Sequence, residues 1–212
     1  MDTNLNLNEI PAGPLIAEHR LMQRFLGLMR QEAARIDRGE KPDRVLTERL
    51  IDFFKTYAHR CHYGKEEEIL FRRLYGKRIS PEHKKGLDDL ILDHIRERDL
   101  IDRLEIAQDR FWLGETGALG EILANLKGVL KFYPRHMQRE EEEFFPAGMG
   151  YFGAAELKEL LQDFAGFDRN LIHEKYRSVA DRYEGVVSPS EYADLAVQRM
   201  LQPEGPAGSD RS

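Results

Sequence analysis

Apolar residues return at alternating spacings of three and four along most of this chain, the mark of helices that bury one face. Breakers interrupt the pattern at Pro11 to Pro14, Gly39 to Pro42, Tyr75 to Pro81, Leu113 to Gly117 and Pro146 to Gly153. They predict five long helices, near 14–37, 43–74, 81–112, 118–144 and 154–184. Ser80-Pro81-Glu82 is a strong helix start, with a serine cap and proline at the first helical position. Long helices joined by short connections predict an all-α fold, an up-down-up-down four-helix bundle over 14–146. A short N-terminal segment (1–13) precedes it, and a C-terminal helical extension (147–185) packs outside it or caps one end. From about Val186 the pattern fades, and the ending PEGPAGSDRS predicts a disordered tail over 186–212.

The seams of the first four helices are not purely apolar. The first reads Leu15, His19, Met22, Leu26, Met29, Ala33, Ile36, and the second Ile51, Phe54, Ala58, His62, Glu66, Ile69. The third reads Leu87, Leu90, Ile91, His94, Ile101, Leu104, and the fourth Ile122, Leu126, Val129, Tyr133, His136, Glu140, Phe144. One buried histidine ordinarily means a hydrogen-bonded core residue. Four histidines and two glutamates on four core faces go beyond that explanation, because a buried, unpaired carboxylate is costly. Glu66 and Glu140 each follow a histidine by four residues, which puts imidazole and carboxylate on one helix face. Heights agree as well. His19 lies about 18 residues before the first loop and His62 about 19 after it, so both stand roughly 27–28 Å from that loop. The same count across the next two loops puts His94, His136 and Glu140 in the same layer.

Composition narrows the chemistry that such a layer can perform. The net charge of -6 gives no basic field for nucleic acid or anionic lipid. No apolar run approaches membrane-spanning length, and the opening MDTNLNLNEI lacks the features of a cleaved signal, so a cytoplasmic location is expected. Cys61 is the sole cysteine, which excludes a disulfide framework and a thiolate metal cluster. Four imidazoles and two carboxylates suit iron or manganese, with zinc possible. Six protein ligands are too many for one ion with an open position and suit two ions bridged by carboxylates.

These stretches, PLIAEHRLMQRFL, CHYGKEEEILF, LDHIRERDLIDRL and YPRHMQREEEEFFP, resemble the hemerythrin-like family, also called the HHE cation-binding domain. The resemblance implies a non-haem di-iron centre held by His19, His62, Glu66, His94, His136 and Glu140. The stretch FDRNLIHEKYRSVADRY is similar to the extension often appended to bacterial members. Oxygen-carrying hemerythrins have a second histidine four residues after the one on the third helix; here that position is Arg98. The lost imidazole argues against reversible oxygen carriage and favours reaction with peroxide or capture of nitric oxide. Tyr63, His59 or a water are the candidates to fill the open position. No histidine has glutamate three residues before it, so the ferritin-type di-iron proteins are excluded.

The function expected is a di-iron protein that binds or reduces a small oxidant, with no nucleic-acid or membrane partner, a protein partner left open, and no evident catalytic proton donor. The alternative is a metal- or oxygen-responsive module whose fifth helix, with its apolar Phe164 and Phe167, signals to a partner. Glu67 and Glu141 are candidates to orient ligand histidines. Glu18 and Asp93 are expected to point away into surface ion pairs. His83 is expected at the surface, and His173 in a structural role. Pro134 is expected to kink the fourth helix just before His136.

Overall fold

The computed structural model describes residues 11–168 and 172–184, except for the side chains of 172–174. The predicted N-terminal segment and tail fall largely outside these residues. Among them the chain forms six helices and no strand. Helix α1 is Ala12–Asp37 and α3 is Pro81–Trp112. Helix α2 runs over 44–75 and α4 over 118–149. The C-terminal part holds α5, Ala154–Phe167, and α6, Ile172–Tyr183. Where the periodicity predicts one helix over 154–184, the structure therefore has two.

Local chemistry explains the helix ends. Asp43 caps α2 by accepting from Leu46 N at 3.0 Å, and Ser80 caps α3 by accepting from His83 N at 3.1 Å. Gly39 and Gly114, with φ of 83° and 103°, close the turns after α1 and α3. Pro14 is accommodated in the first turn of α1, where its missing N–H costs nothing, so that helix starts before the expected position. Pro146 sits at the start of a new α-helical turn for the same reason, and α4 continues to Met149 rather than ending at Phe144. Helix α4 also runs through Pro134.

Helix α2 is α-helical at Arg44–Phe53 and Arg72–Tyr75 but widens to π-helical hydrogen bonding over Phe54–His62 and Lys65–Phe71. Helix α4 does the same over Glu140–Phe144. Wide turns carry more residues per revolution and shift the phase of the buried face. Ile69, expected on the seam, is only partly buried, whereas Leu70 and Phe71 lie inside.

Helices α1 to α4 close into a ring: α1 meets α2, α2 meets α3, α3 meets α4 most extensively, and α4 returns to α1. Their apolar faces form two separate clusters. One centres on Met22, Phe25, Phe53, Phe54, Leu104 and Leu126. The other centres on Leu15, Phe71, Leu74, Leu90, Phe144 and Phe145. Along each bundle helix the face passes from one cluster to the other at His19, His62 to Glu66, His94, and His136 to Glu140. The polar residues thus form a layer across the bundle. Helix α6 packs on α1 and α2, and α5 packs on the Lys65–Phe71 stretch of α2. Phe164 and Phe167 are accordingly not a free surface: Phe164 is buried, and Phe167 rests on Gly64. No helix of the described residues is long and apolar enough to cross a membrane.

Candidate metal centre

In the polar layer His19 Nε2 lies 3.0 Å from His62 Nε2 and 3.3 Å from Glu140 Oε2. His62 Nε2 is 3.5 Å from Glu66 Oε1. Across the layer, His94 Nε2 is 3.4 Å from Glu66 Oε2 and 3.7 Å from Glu140 Oε1. His136 Nε2 is 3.2 Å from that same Glu140 oxygen. Each carboxylate therefore turns one oxygen to the His19–His62 pair and the other to the His94–His136 pair. The ligand-type atoms fall into two groups, each within 4.8 Å: His19, His62, Glu66 and Glu140, and His94, His136 and Glu140.

These residues fit metal ions on their unsatisfied atoms. All six are buried, and neither oxygen of Glu66 or Glu140, nor Nε2 of His94 or His136, has a hydrogen-bond partner. Buried polar atoms left unpaired cost about 1–3 kcal/mol each, more when charged. The 3.0 Å approach of His19 Nε2 to His62 Nε2 would let both nitrogens serve one ion.

The outer edges of three imidazoles are held by carboxylates. His19 Nδ1 is 2.8 Å from Glu141 Oε1, His62 Nδ1 is 2.7 Å from Glu18 Oε2, and His94 Nδ1 is 2.7 Å from Glu67 Oε1. A proton on Nδ1 shared with a carboxylate leaves the Nε2 lone pair aimed inward, as a metal-binding histidine requires. His136 is the exception, with Nδ1 3.8 Å from Asp93 Oδ2. Asp93 instead accepts from Arg96 and Arg139, both at 2.9 Å.

Glu67 and Glu141 therefore occupy the orienting positions considered for them. Glu18 corrects the sequence expectation: it is buried, and it meets His62 and Lys65. Helices α5 and α6 cover this side of the bundle, so one step round α1 from the seam is still interior. No sequence signal marked Glu18, since its partner Lys65 stands in the charged run Lys65-Glu66-Glu67-Glu68. Asp93 is also more enclosed than expected, at 9% exposure. His83 is partly buried, its Nδ1 2.7 Å from the Tyr151 hydroxyl. The side chain of His173 lies outside the described residues.

His59 and Tyr63 do not join the converging atoms. The imidazole of His59 pairs with the buried carboxylate of Glu97. Tyr63 stacks on His94 with ring centroids 3.6 Å apart, and its hydroxyl donates to that of Tyr133 at 3.2 Å. Arg98 donates to Glu67 Oε1 at 2.8 Å, the oxygen that also meets His94. It thus braces the carboxylate that orients His94.

Charge in the layer is shared unevenly. Burial resists a charge on Glu140, yet His136, His19 and His94 hold it well below the ordinary carboxylate range. Burial, and then Glu140, push Glu66 well above that range. Burial also opposes charge on His19, but Glu140 and Glu141 hold its imidazole at about 9. Burial draws His62 down to about 4, against the pull of Glu18. At neutral pH the metal-free layer thus carries protons that an ion must displace, one on His19 and one held by the raised carboxyl of Glu66. Iron(II) added at pH 7 to weakly buffered protein should release at least about one proton per chain, and apparent affinity should fall by about tenfold or more per pH unit as pH drops below about 9. Uptake without proton release, followed with an indicator dye, would contradict this.

A family model described as the hemerythrin HHE cation binding domain matches residues 13–148. No curated protein and no solved structure matches the chain.

Proposed function

This chain belongs to the hemerythrin HHE cation-binding family, and on that footing we propose that its polar layer holds two iron ions and binds or reduces a small oxidant: oxygen, peroxide or nitric oxide. The division of ligand atoms into two groups that share Glu140 carries this reading. We assign His19 and His62 to one ion, His94 and His136 to the other, and Glu66 and Glu140 to bridging positions. Manganese or zinc would suit the same nitrogen and oxygen donors.

A ferrous pair, when bound, supplies two electrons to the oxidant. The chain does the rest. Three carboxylates hold the imidazoles in one tautomer. Phe145, Phe71 and Tyr63 stack on the rings and keep water out. Arg98, in place of a further imidazole, leaves one metal position short of a protein ligand relative to the oxygen carriers, which favours reaction over reversible carriage.

Protein loaded with iron should hold about two ions per chain and, given an added chemical reductant that returns the ions to the ferrous state, should consume a tenfold excess of peroxide over repeated cycles. One ion or fewer would remove the two-ion reading. Two ions with no cycling would favour the second reading, a metal- or oxygen-responsive module without turnover. The packing of α5 on α2 beside His62 is the observation that supports that alternative.

A further inference from the structure

Lys65 is fully buried, a rare place for an ammonium group. Its Nζ meets the carboxylate of Glu18 and donates to Asp168 Oδ1 at 2.6 Å and Oδ2 at 2.8 Å. The other oxygen of Glu18 lies 2.7 Å from His62 Nδ1. An unbroken polar line, Asp168–Lys65–Glu18–His62, thus leads from the end of α5 to an imidazole of the polar layer.

Asp168 lies outside residues 13–148, the part matched by the family model. Packing nevertheless holds it against α2. A Cβ on Gly64 would stand 2.6 Å from Phe167 Cζ, so α5 approaches α2 as closely as glycine allows. Leu160 and Phe164 join the apolar cluster of Leu15 and Phe71. Cys61 Sγ donates to Asp168 Oδ1 at 3.1 Å.

We infer that Asp168 is a positioning residue for the metal centre, acting through Lys65 and Glu18 to fix the His62 imidazole. The charges explain how. With Asp168 present, Lys65 divides its pull between two carboxylates, and Glu18 retains enough negative charge to hold the His62 N–H. Without the Asp168 charge, Lys65 draws on Glu18 alone and loosens its hold on His62. A group that bonds directly to a ligand, as Glu18 does to His62, changes metal affinity by about 10–100-fold, and Asp168, two contacts further out, is expected at the lower end of that range. The inference rests on the proposed assignment of His62 as a ligand.

The test is iron release to a chelator from iron-loaded wild type, Asp168→Asn, Asp168→Glu and Glu18→Gln, with thermal midpoints of the metal-free forms. Asp168→Asn should release about half of its iron roughly tenfold faster, the other half at the wild-type rate. Glu18→Gln, which cuts the line at the residue that touches His62, should show the same split. Asp168→Glu, which keeps the charge, should stay within about twofold of wild type. A single rate equal to wild type in both Asp168→Asn and Glu18→Gln would overturn the inference. So would equal acceleration of both halves in step with a lower metal-free midpoint, the signature of a structural role alone. Wild type that holds no iron, or His62→Ala with wild-type content, would instead remove the underlying assignment.

Discussion

Glu140→Ala should empty both metal positions in one step, taking iron from about two ions per chain to less than about a tenth of that. Its two oxygens face different halves of the layer, Oε2 at 3.3 Å from His19 Nε2 and Oε1 at 3.2 Å from His136 Nε2. Alanine removes an oxygen donor and a negative charge from each half together. No neighbour can substitute, because Glu66 already spans the same gap. His136→Ala, by contrast, touches only the group of His94, His136 and Glu140 and should leave about one ion bound. Elemental analysis after gel filtration distinguishes the two. One ion retained at full occupancy by Glu140→Ala would show that this carboxylate does not serve both positions.

The second large effect is expected in the metal-free protein. Lys65→Met leaves the buried carboxylate of Glu18 facing that of Asp168 with no cation between them. Breaking a buried ion pair by removing one member costs about 3–5 kcal/mol, which in a chain of this size lowers the thermal midpoint by about 6–20 °C. Burial resists the charge on Glu18, but His62 and Lys65 together hold its carboxyl below the ordinary range. Glu18 therefore adds stability at neutral pH that disappears as pH falls through its folded value. In Lys65→Met that loss should begin at higher pH. A fall of less than about 1 kcal/mol across pH 5–8, read by thermal unfolding, would mean that the lysine does not compensate these carboxylates.

Much of this architecture is readable from spacing. Bundle helices rise at a constant rate, so residue counts from the loops place His19, His62, His94 and His136 level, and the structure brings them together with Glu66 and Glu140. What spacing could not show are departures from the 3.6-residue period. The wide turns of α2 carry no distinctive residue types, yet they exchange Ile69 for Leu70 on the buried face. Glu18 was misplaced because a seam argument assumes that the flank of a helix beside its seam is wet. Helices α5 and α6 lie over that side, and nothing in the local sequence of α1 reports them. The end of α5 at Phe167 was missed for a similar reason: no proline follows closely, and Gly166 alone does not mark a helix end.

The polar layer has one more consequence, for cooperativity. It divides the interior into two half-cores, one around Phe25 and Leu126 and one around Phe71 and Phe145. The four bundle helices run through both, but the apolar contact that makes unfolding all-or-none is interrupted at this septum. In the metal-free chain the two halves are candidates for separate foldons, opening and exchanging their amide hydrogens at different free energies. An ion bound at the septum would join them, so the metal-loaded bundle should melt in one transition where the metal-free form melts in two.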